Sequence, residues 1–304
     1  MKISWTGVLP AITTKFNADD SIDHIFFAEH CRWLVNAGCT GLVPLGSLGE
    51  GATLSFAEKI SLLETAIQAV GEQIPIIPGI ASLSTTEAVK LAQAAEQVGC
   101  SGLMALPPYV YSTDWREMKA HVTAVLRATS LPCMLYNNPI AYKTDFLPEQ
   151  IAELAEEHPN LVAVKESSAD IRRIRAIRTL IGQRLHLLVG VDDGIVEGIE
   201  AGAEGWIAGL VNAFPAESVA LFNLANQVQH GQGDRAQLEK LYAWFLPLLR
   251  LDTVPKFVQL IKLTQEMVGM GSRHVRGPRL ELVGDELETA RTVIQSALKN
   301  RPTL

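Results

Sequence analysis

"LVAVKESSADIRRIRAIRTLIG" (161–182) couples a short apolar run to a pattern of helical period. Val162 and Val164 are β-branched, and the four apolar residues before Lys165 predict a strand buried on both faces. The stretch from 169 to 182 then repeats isoleucine and leucine at helical spacing among arginines, which predicts an amphipathic helix. A strand with no polar face, followed at once by a helix, is the unit from which parallel sheets are built.

The same unit recurs on both sides of this one. Upstream lie "GVLPAIT" (7–13) before the helical 24–38, "GLVPLG" (41–46), "IPIIPGI" (74–80), "GLMALPP" (102–108) before 114–130, and "LPCMLYNNP" (131–139) before "PEQIAELAEEH". Ser55 with Glu58, and Ser84 with Glu87, match capping boxes that would open the helices after 41–46 and 74–80. Pro148 suits a first helical position. Downstream follow "LHLLVG" (185–190) with "DDGIVEGIEAG", and "GWIAGL" (205–210) with "PAESVALFNLANQVQ". Eight strand-then-helix units without a linker predict an α/β fold, a (β/α)8 TIM barrel over 1–228. "QLEKLYAWFLPLLR", "KFVQLIKLTQEMVG" and "GDELETARTVIQSALKN" make 229–304 a C-terminal helical appendage.

Composition narrows the function classes. The 304 residues carry 33 acidic and 26 basic side chains, a net charge of −7, with no basic stripe to suit a nucleic acid. No apolar run reaches membrane-spanning length, and the opening residues lack a leader's apolar segment, so a cytoplasmic protein is expected. Cys31, Cys39, Cys100 and Cys133 are widely spaced and read as buried thiols. The seven histidines show no H-x-x-H or H-E-x-x-H spacing, so no metal site is expected.

In such barrels the chemistry sits where the strands end. Lys165 stands there, and desolvation favours its neutral amine, which can attack a carbonyl and form a Schiff base. Pairing with Glu166 or another acid is the plainer alternative. Tyr136, at the end of the preceding strand, could move protons for a bound carbinolamine, or could be a packing residue with a satisfied hydroxyl. "GSLGEG" (46–51) is a glycine-rich turn whose amides, with the hydroxyl of Ser47, could hold a carboxylate, or it is only a tight turn. It matches neither the P-loop nor the dinucleotide spacing.

Together, "GSLGE", "YNNP", "KESS" and "GAEGWIAGLVNAFP" (202–215) resemble the dihydrodipicolinate synthase/N-acetylneuraminate lyase family of class I aldolases, in order and over nearly the whole chain. The resemblance implies a barrel with a helical C-terminal part, a homotetramer built as a dimer of dimers, a Schiff base with a 2-oxo acid, and no cofactor. By position it implies Lys165 as the Schiff-base lysine and Tyr136 as the acid/base residue. Gly46, Ser47 and the amide of Leu48 would lie around the substrate carboxylate, and Ile207 would offer a backbone carbonyl.

Three positions depart from the synthases. Leu48 replaces the second of two threonines. Ala141 stands where an arginine grips the second substrate's carboxylate. Val110 takes the place of a tyrosine lent across the dimer, with Tyr111 one residue on. "YNNPIAY", "KESSADIRR" and "DTVPKFVQLIKL" look more like a subgroup that includes 1-pyrroline-4-hydroxy-2-carboxylate deaminases, which act on a cyclic imino acid. In that reading Asn137 or Asn138 would contact a substrate hydroxyl, or would shape the loop before Pro139. Aldolases and dehydratases of 2-keto-3-deoxy sugar acids, 4-hydroxy-tetrahydrodipicolinate synthase and a non-catalytic binding barrel are the alternatives.

Overall fold

The computed structural model describes residues 3–108 and 113–303. Val110 and Tyr111 lie outside the described residues. Among the described residues seven strands form one parallel sheet: β1 (Gly7–Pro10), β2 (Gly79–Ile80), β3 (Leu103–Ala105), β4 (Cys133–Asn137), β5 (Leu161–Glu166), β6 (His186–Val189) and β7 (Gly205–Ala208). Their order is β1-β7-β6-β5-β4-β3-β2. The run 41–46, expected as a full strand, closes the gap between β1 and β2 with single bridges, Ala11 to Val43 and Leu42 to Ile76. Pro44 has no N–H to give a ladder and Leu45 turns to φ 64°, which stops the strand there. The backbone bonds Val43 N to Pro10 O (2.8 Å) and Gly79 N to Pro44 O (2.8 Å) complete the closure.

The result is a (β/α)8 barrel. Its interior is packed by Leu9, Val43, Ile77, Met104, Met134, Ala163, Leu188 and Ile207, one from each of eight staves. Leu135, Val164, Leu187 and Trp206 instead face the surrounding helices, in a second core. Two faces, both apolar, explain why the strands read as continuous hydrophobic runs rather than alternating ones.

Among the described residues twelve helices are formed, and many of their starts follow local chemistry. The second (Phe56–Val70) opens on the full Ser55/Glu58 capping box, whereas the third (Thr85–Gln97) has only the Ser84 hydroxyl half of its box. Asp114 caps the helix Trp115–Arg127, and Pro148 occupies the first turn of Pro148–Glu157. A one-turn helix, Pro139–Tyr142, interrupts the loop after β4 where none was expected. The strand 161–166 leads to the helix Arg172–Ile181, shorter at its start than the sequence pattern because residues 167–170 form a polar turn.

Three long helices end the chain: Arg235–Leu249, Phe257–Met267 and Gly284–Lys299. Among the described residues no helix is long and apolar enough to cross a membrane. The helix Phe257–Met267 is tied to the barrel's upper end by polar side chains. Gln265 accepts from the Thr13 hydroxyl (2.8 Å), and Lys262 Nζ donates to Thr14 O (2.9 Å) and Glu50 Oε1 (2.8 Å). Lys262 and Glu50 are both fully buried. All four cysteines are free and buried, and burial pushes each thiol up to about 12.

Candidate functional site at the barrel mouth

The period of a strand decides which side chains meet in the mouth. Tyr136 on β4 and Lys165 on β5 are register partners, and both point inward. Lys165 Nζ lies 4.0 Å from the centroid of the Tyr136 ring. Glu166, one residue on, faces the other way. It accepts from Asn137 Nδ2 (3.1 Å) and Ser168 N (2.7 Å), so it is not the lysine's partner. Among the described residues no carboxylate approaches the Lys165 amine within ion-pair distance. Burial carries its pKa down to about 8, against the opposing pull of Asp252 and Asp192. The space around the amine is close-fitting: a Cβ on Gly190 would fall 1.9 Å from Ser167 Oγ and 2.6 Å from Lys165 Cε.

Burial also raises the Tyr136 phenol, to about 12. Its hydroxyl accepts from Asn138 Nδ2 (2.9 Å), while Asn138 Oδ1 caps the one-turn helix by accepting from Ala141 N (3.0 Å). Both ends of the Asn138 amide are therefore engaged within the loop, which makes it a positioner of the phenol. Asn137 is fully buried and holds Phe146, Asp145 and Glu166. The Ser167 hydroxyl is buried beside the phenol, whose ionisation it eases, yet reaches no partner at hydrogen-bond distance among the described residues.

The one-turn helix brings in a residue that the sequence reading did not single out. Tyr142 stands edge-on to Tyr136, with ring centroids 5.6 Å apart and planes at 88°. Its hydroxyl is hydrogen-bonded to Ser47 Oγ. A hydroxyl chain thus runs within one chain from the loop 46–51 to the mouth. Ala141 is exposed on the same short helix.

The loop 46–51 is held from beneath by the buried Glu50–Lys262 pair, and Glu50 itself adopts a left-handed φ of 55°. The backbone N–H groups of Ser47, Leu48 and Gly49 donate to none of the described residues. The Leu48 side chain is buried in the outer core, leaving only its backbone for the mouth. Gly46 opens the loop within van der Waals reach of Met104 in the barrel interior. Ile207 lies inside the barrel on β7, next to the end of that strand.

Past β6 and β7, Asp192 is buried. It accepts from Trp206 Nε1 (2.9 Å), Gly209 N (3.1 Å) and Leu210 N (2.7 Å). Burial nonetheless raises its pKa to about 6. Two surface concavities of about 890 and 550 Å3 open at the opposite end of the strands and contain none of these groups. That face of a barrel carries stability rather than chemistry.

The model of the dihydrodipicolinate synthetase family matches residues 4–297. The chain belongs to that family. Its members are class I aldolase-type lyases, and this chain is a lyase of that type. The 4-hydroxy-tetrahydrodipicolinate synthase of Agrobacterium fabrum is 31% identical over 297 residues, covering 97% of each chain. A Bacillus anthracis dihydrodipicolinate synthase superposes with a TM-score of 0.91 over 99% of this chain and all of its own. At 24% identity it bears on the fold alone. A prophage protein of E. coli K12 from the same family, solved with pyruvate, is 26% identical with a TM-score of 0.88, over 97% of this chain and 99% of its own.

Proposed function

We propose that this lyase acts on a small 2-oxo acid or cyclic imino acid through a Schiff base on Lys165, as a deaminase/dehydratase of 1-pyrroline-4-hydroxy-2-carboxylate or a closely similar substrate. The observation that carries the reading is the desolvated Lys165 amine against the Tyr136 ring, linked through Tyr142 to a loop with three amides that donate to none of the described residues. A neutral amine is the nucleophile, and the phenol can give and take protons beside it. Gly46, the Ser47 hydroxyl and the amides of Ser47 and Leu48 hold the carboxylate, and Ile207 turns its carbonyl to the reacting centre. Asn138 sets the phenol, and Tyr142 passes protons between Tyr136 and Ser47. The site is thereby complete within one chain, which offsets the loss of a tyrosine at position 110.

The chemistry follows from the iminium as an electron sink. Lys165 adds to C2 of the cyclic imine, and the ring nitrogen leaves as an amine after protonation, giving an open-chain iminium. Loss of a proton from C3 makes the enamine, which expels the C4 hydroxyl as water. The conjugated iminium so formed loses a proton from C5 to give a dienamine, which takes up one proton at C4, placing an imine at C5, and another at C3, restoring the iminium at C2. Two waters hydrolyse the two C=N bonds, releasing ammonia, the 2-oxo product and the free lysine, so the net reaction consumes one water. The Ser167 hydroxyl, buried beside the phenol and without a hydrogen-bond partner among the described residues, suits a substrate that carries a hydroxyl.

A second reading, 4-hydroxy-tetrahydrodipicolinate synthase, is favoured by the names of the relatives. Against it, the alanine at 141 cannot grip a carboxylate as a guanidinium does. Borohydride reduction with pyruvate, followed by peptide mapping, tests the Schiff base. A substrate panel then separates the two readings: measurable condensation of pyruvate with aspartate semialdehyde would overturn the first.

We also propose a cytoplasmic homotetramer, with residues 1–228 as the catalytic barrel and 229–304 as a helical region. The exposed Leu83, Leu280 and Val283 are large apolar side chains that a partner copy would cover. Sedimentation of the purified protein as a monomer would remove the assembly part of this proposal.

A further inference from the structure

The motif "DTVPKFVQLIKL" begins with Asp252, a residue given no role above. The tight turn Arg250–Asp252 follows the helix Arg235–Leu249 and brings this aspartate to the barrel mouth. Asp252 Oδ1 is pressed so closely over Gly209 that a Cβ there would lie 2.0 Å from it. Gly209 directly follows β7, at the same end of the sheet as Lys165 and Tyr136. Asp192 accepts hydrogen bonds from the amides of Gly209 and Leu210 and from the Trp206 indole N–H, so its acceptor capacity is spent. Asp252 differs. Among the described residues it accepts no hydrogen bond and makes no ion pair. Close to Lys165, over Gly190, the Ser167 hydroxyl is buried beside the Tyr136 phenol and has no partner at hydrogen-bond distance among the described residues. A carboxylate and a hydroxyl left uncommitted beside one reactive amine form a polar wall that lacks its complement.

We propose that Asp252 is a specificity-determining residue: its carboxylate accepts a hydrogen bond from an N–H or O–H at the end of the substrate remote from the loop 46–51, and it repels a second carboxylate there. The inference rests on the Schiff-base reading above and adds the class of substrate, a monocarboxylic 2-oxo or imino acid with a donor at its far end. Burial, and then Asp192, already hold the Asp252 carboxyl well above the ordinary range. A further anion would have to bring in a proton or bear the repulsion, whereas a donor is welcomed.

The test compares borohydride trapping on Lys165 by 2-oxoglutarate and by 5-methyl-2-oxohexanoate, its isostere with an uncharged far end, in the wild type and in Asp252→Asn and Asp252→Ala. The wild type should strongly prefer the isostere. Both substitutions should narrow that preference by about tenfold or more, the scale on which like charges discriminate. A merely structural loss would weaken trapping of the two acids alike. Labelling with an unchanged ratio in both variants overturns this inference alone. If pyruvate itself fails to label Lys165 in the wild type, the Schiff-base reading falls and this inference with it.

Discussion

Titrating the attack of Lys165 on pyruvate gives the sharpest view of what the barrel does to this amine. Burial brings it from 10.5 to about 8. At pH 7 about a tenth of the lysines are then neutral, against about one in three thousand for a solvated one, a gain of about 300-fold in nucleophile. The assay is the initial rate of adduct formation with saturating pyruvate and cyanoborohydride between pH 6 and 10. The rate should climb about tenfold per pH unit up to about 8 and then level off. Asp252 is the stronger of the two carboxylates that favour the ammonium, so Asp252→Asn should move the break to lower pH. The same burial costs stability: a depressed lysine loses nothing above its solution value, loses progressively as pH falls from 10.5 toward 8, and carries the full cost below that. Lys165→Met should accordingly raise the melting temperature by a few degrees at pH 7, on the order of 3 kcal/mol from the 2.5-unit difference. A break near pH 10, or a Lys165→Met protein no more stable at pH 7 than the wild type, would refute a desolvated amine.

Tyr136→Phe should slow turnover by about 10²–10⁴-fold while leaving the fold intact, since only the proton-carrying hydroxyl is removed. An unchanged rate takes the phenol out of the mechanism. Tyr142→Phe, which breaks the bond to Ser47, should cost about tenfold or more in the proton-transfer step, read as a lowered kcat and an increased solvent isotope effect. Lys262→Met leaves Glu50 buried without its cation and should destabilise by about 3 kcal/mol, seen as a lower urea midpoint. The double variant with Glu50→Gln should recover part of that loss, and a single variant as stable as the wild type would show the pair to be dispensable.

Much of the fold is legible along the chain because the strands are apolar on both faces and many helices open on a capping side chain or a proline. The run 41–46 shows the limit. Its hydrophobicity is that of a strand, but Pro44 and the left-handed Leu45 leave it only bridges. Lys165 and Tyr136 are legible as a pair because they occupy inward positions at the ends of neighbouring strands, and period-two alternation does the rest. Asn138 reads equally well as a substrate contact or a loop residue, and only the geometry shows both ends of its amide engaged. Tyr142 is hidden because its partner, Ser47, lies far away in sequence and only the one-turn helix after Pro139 joins them. Asp252 sits in a helical region that carries no strand end to mark it. Its one signal is an acidic residue before "TVPK" in an otherwise apolar stretch.

The most direct measurement is the mass of the peptide containing position 165 after the protein is reduced by borohydride in the presence of pyruvate. A single modified lysine at 165, absent from a folded Lys165→Ala variant, is the expected result. An unmodified peptide, or the same mass gain on another lysine, would contradict the covalent chemistry assigned to this barrel.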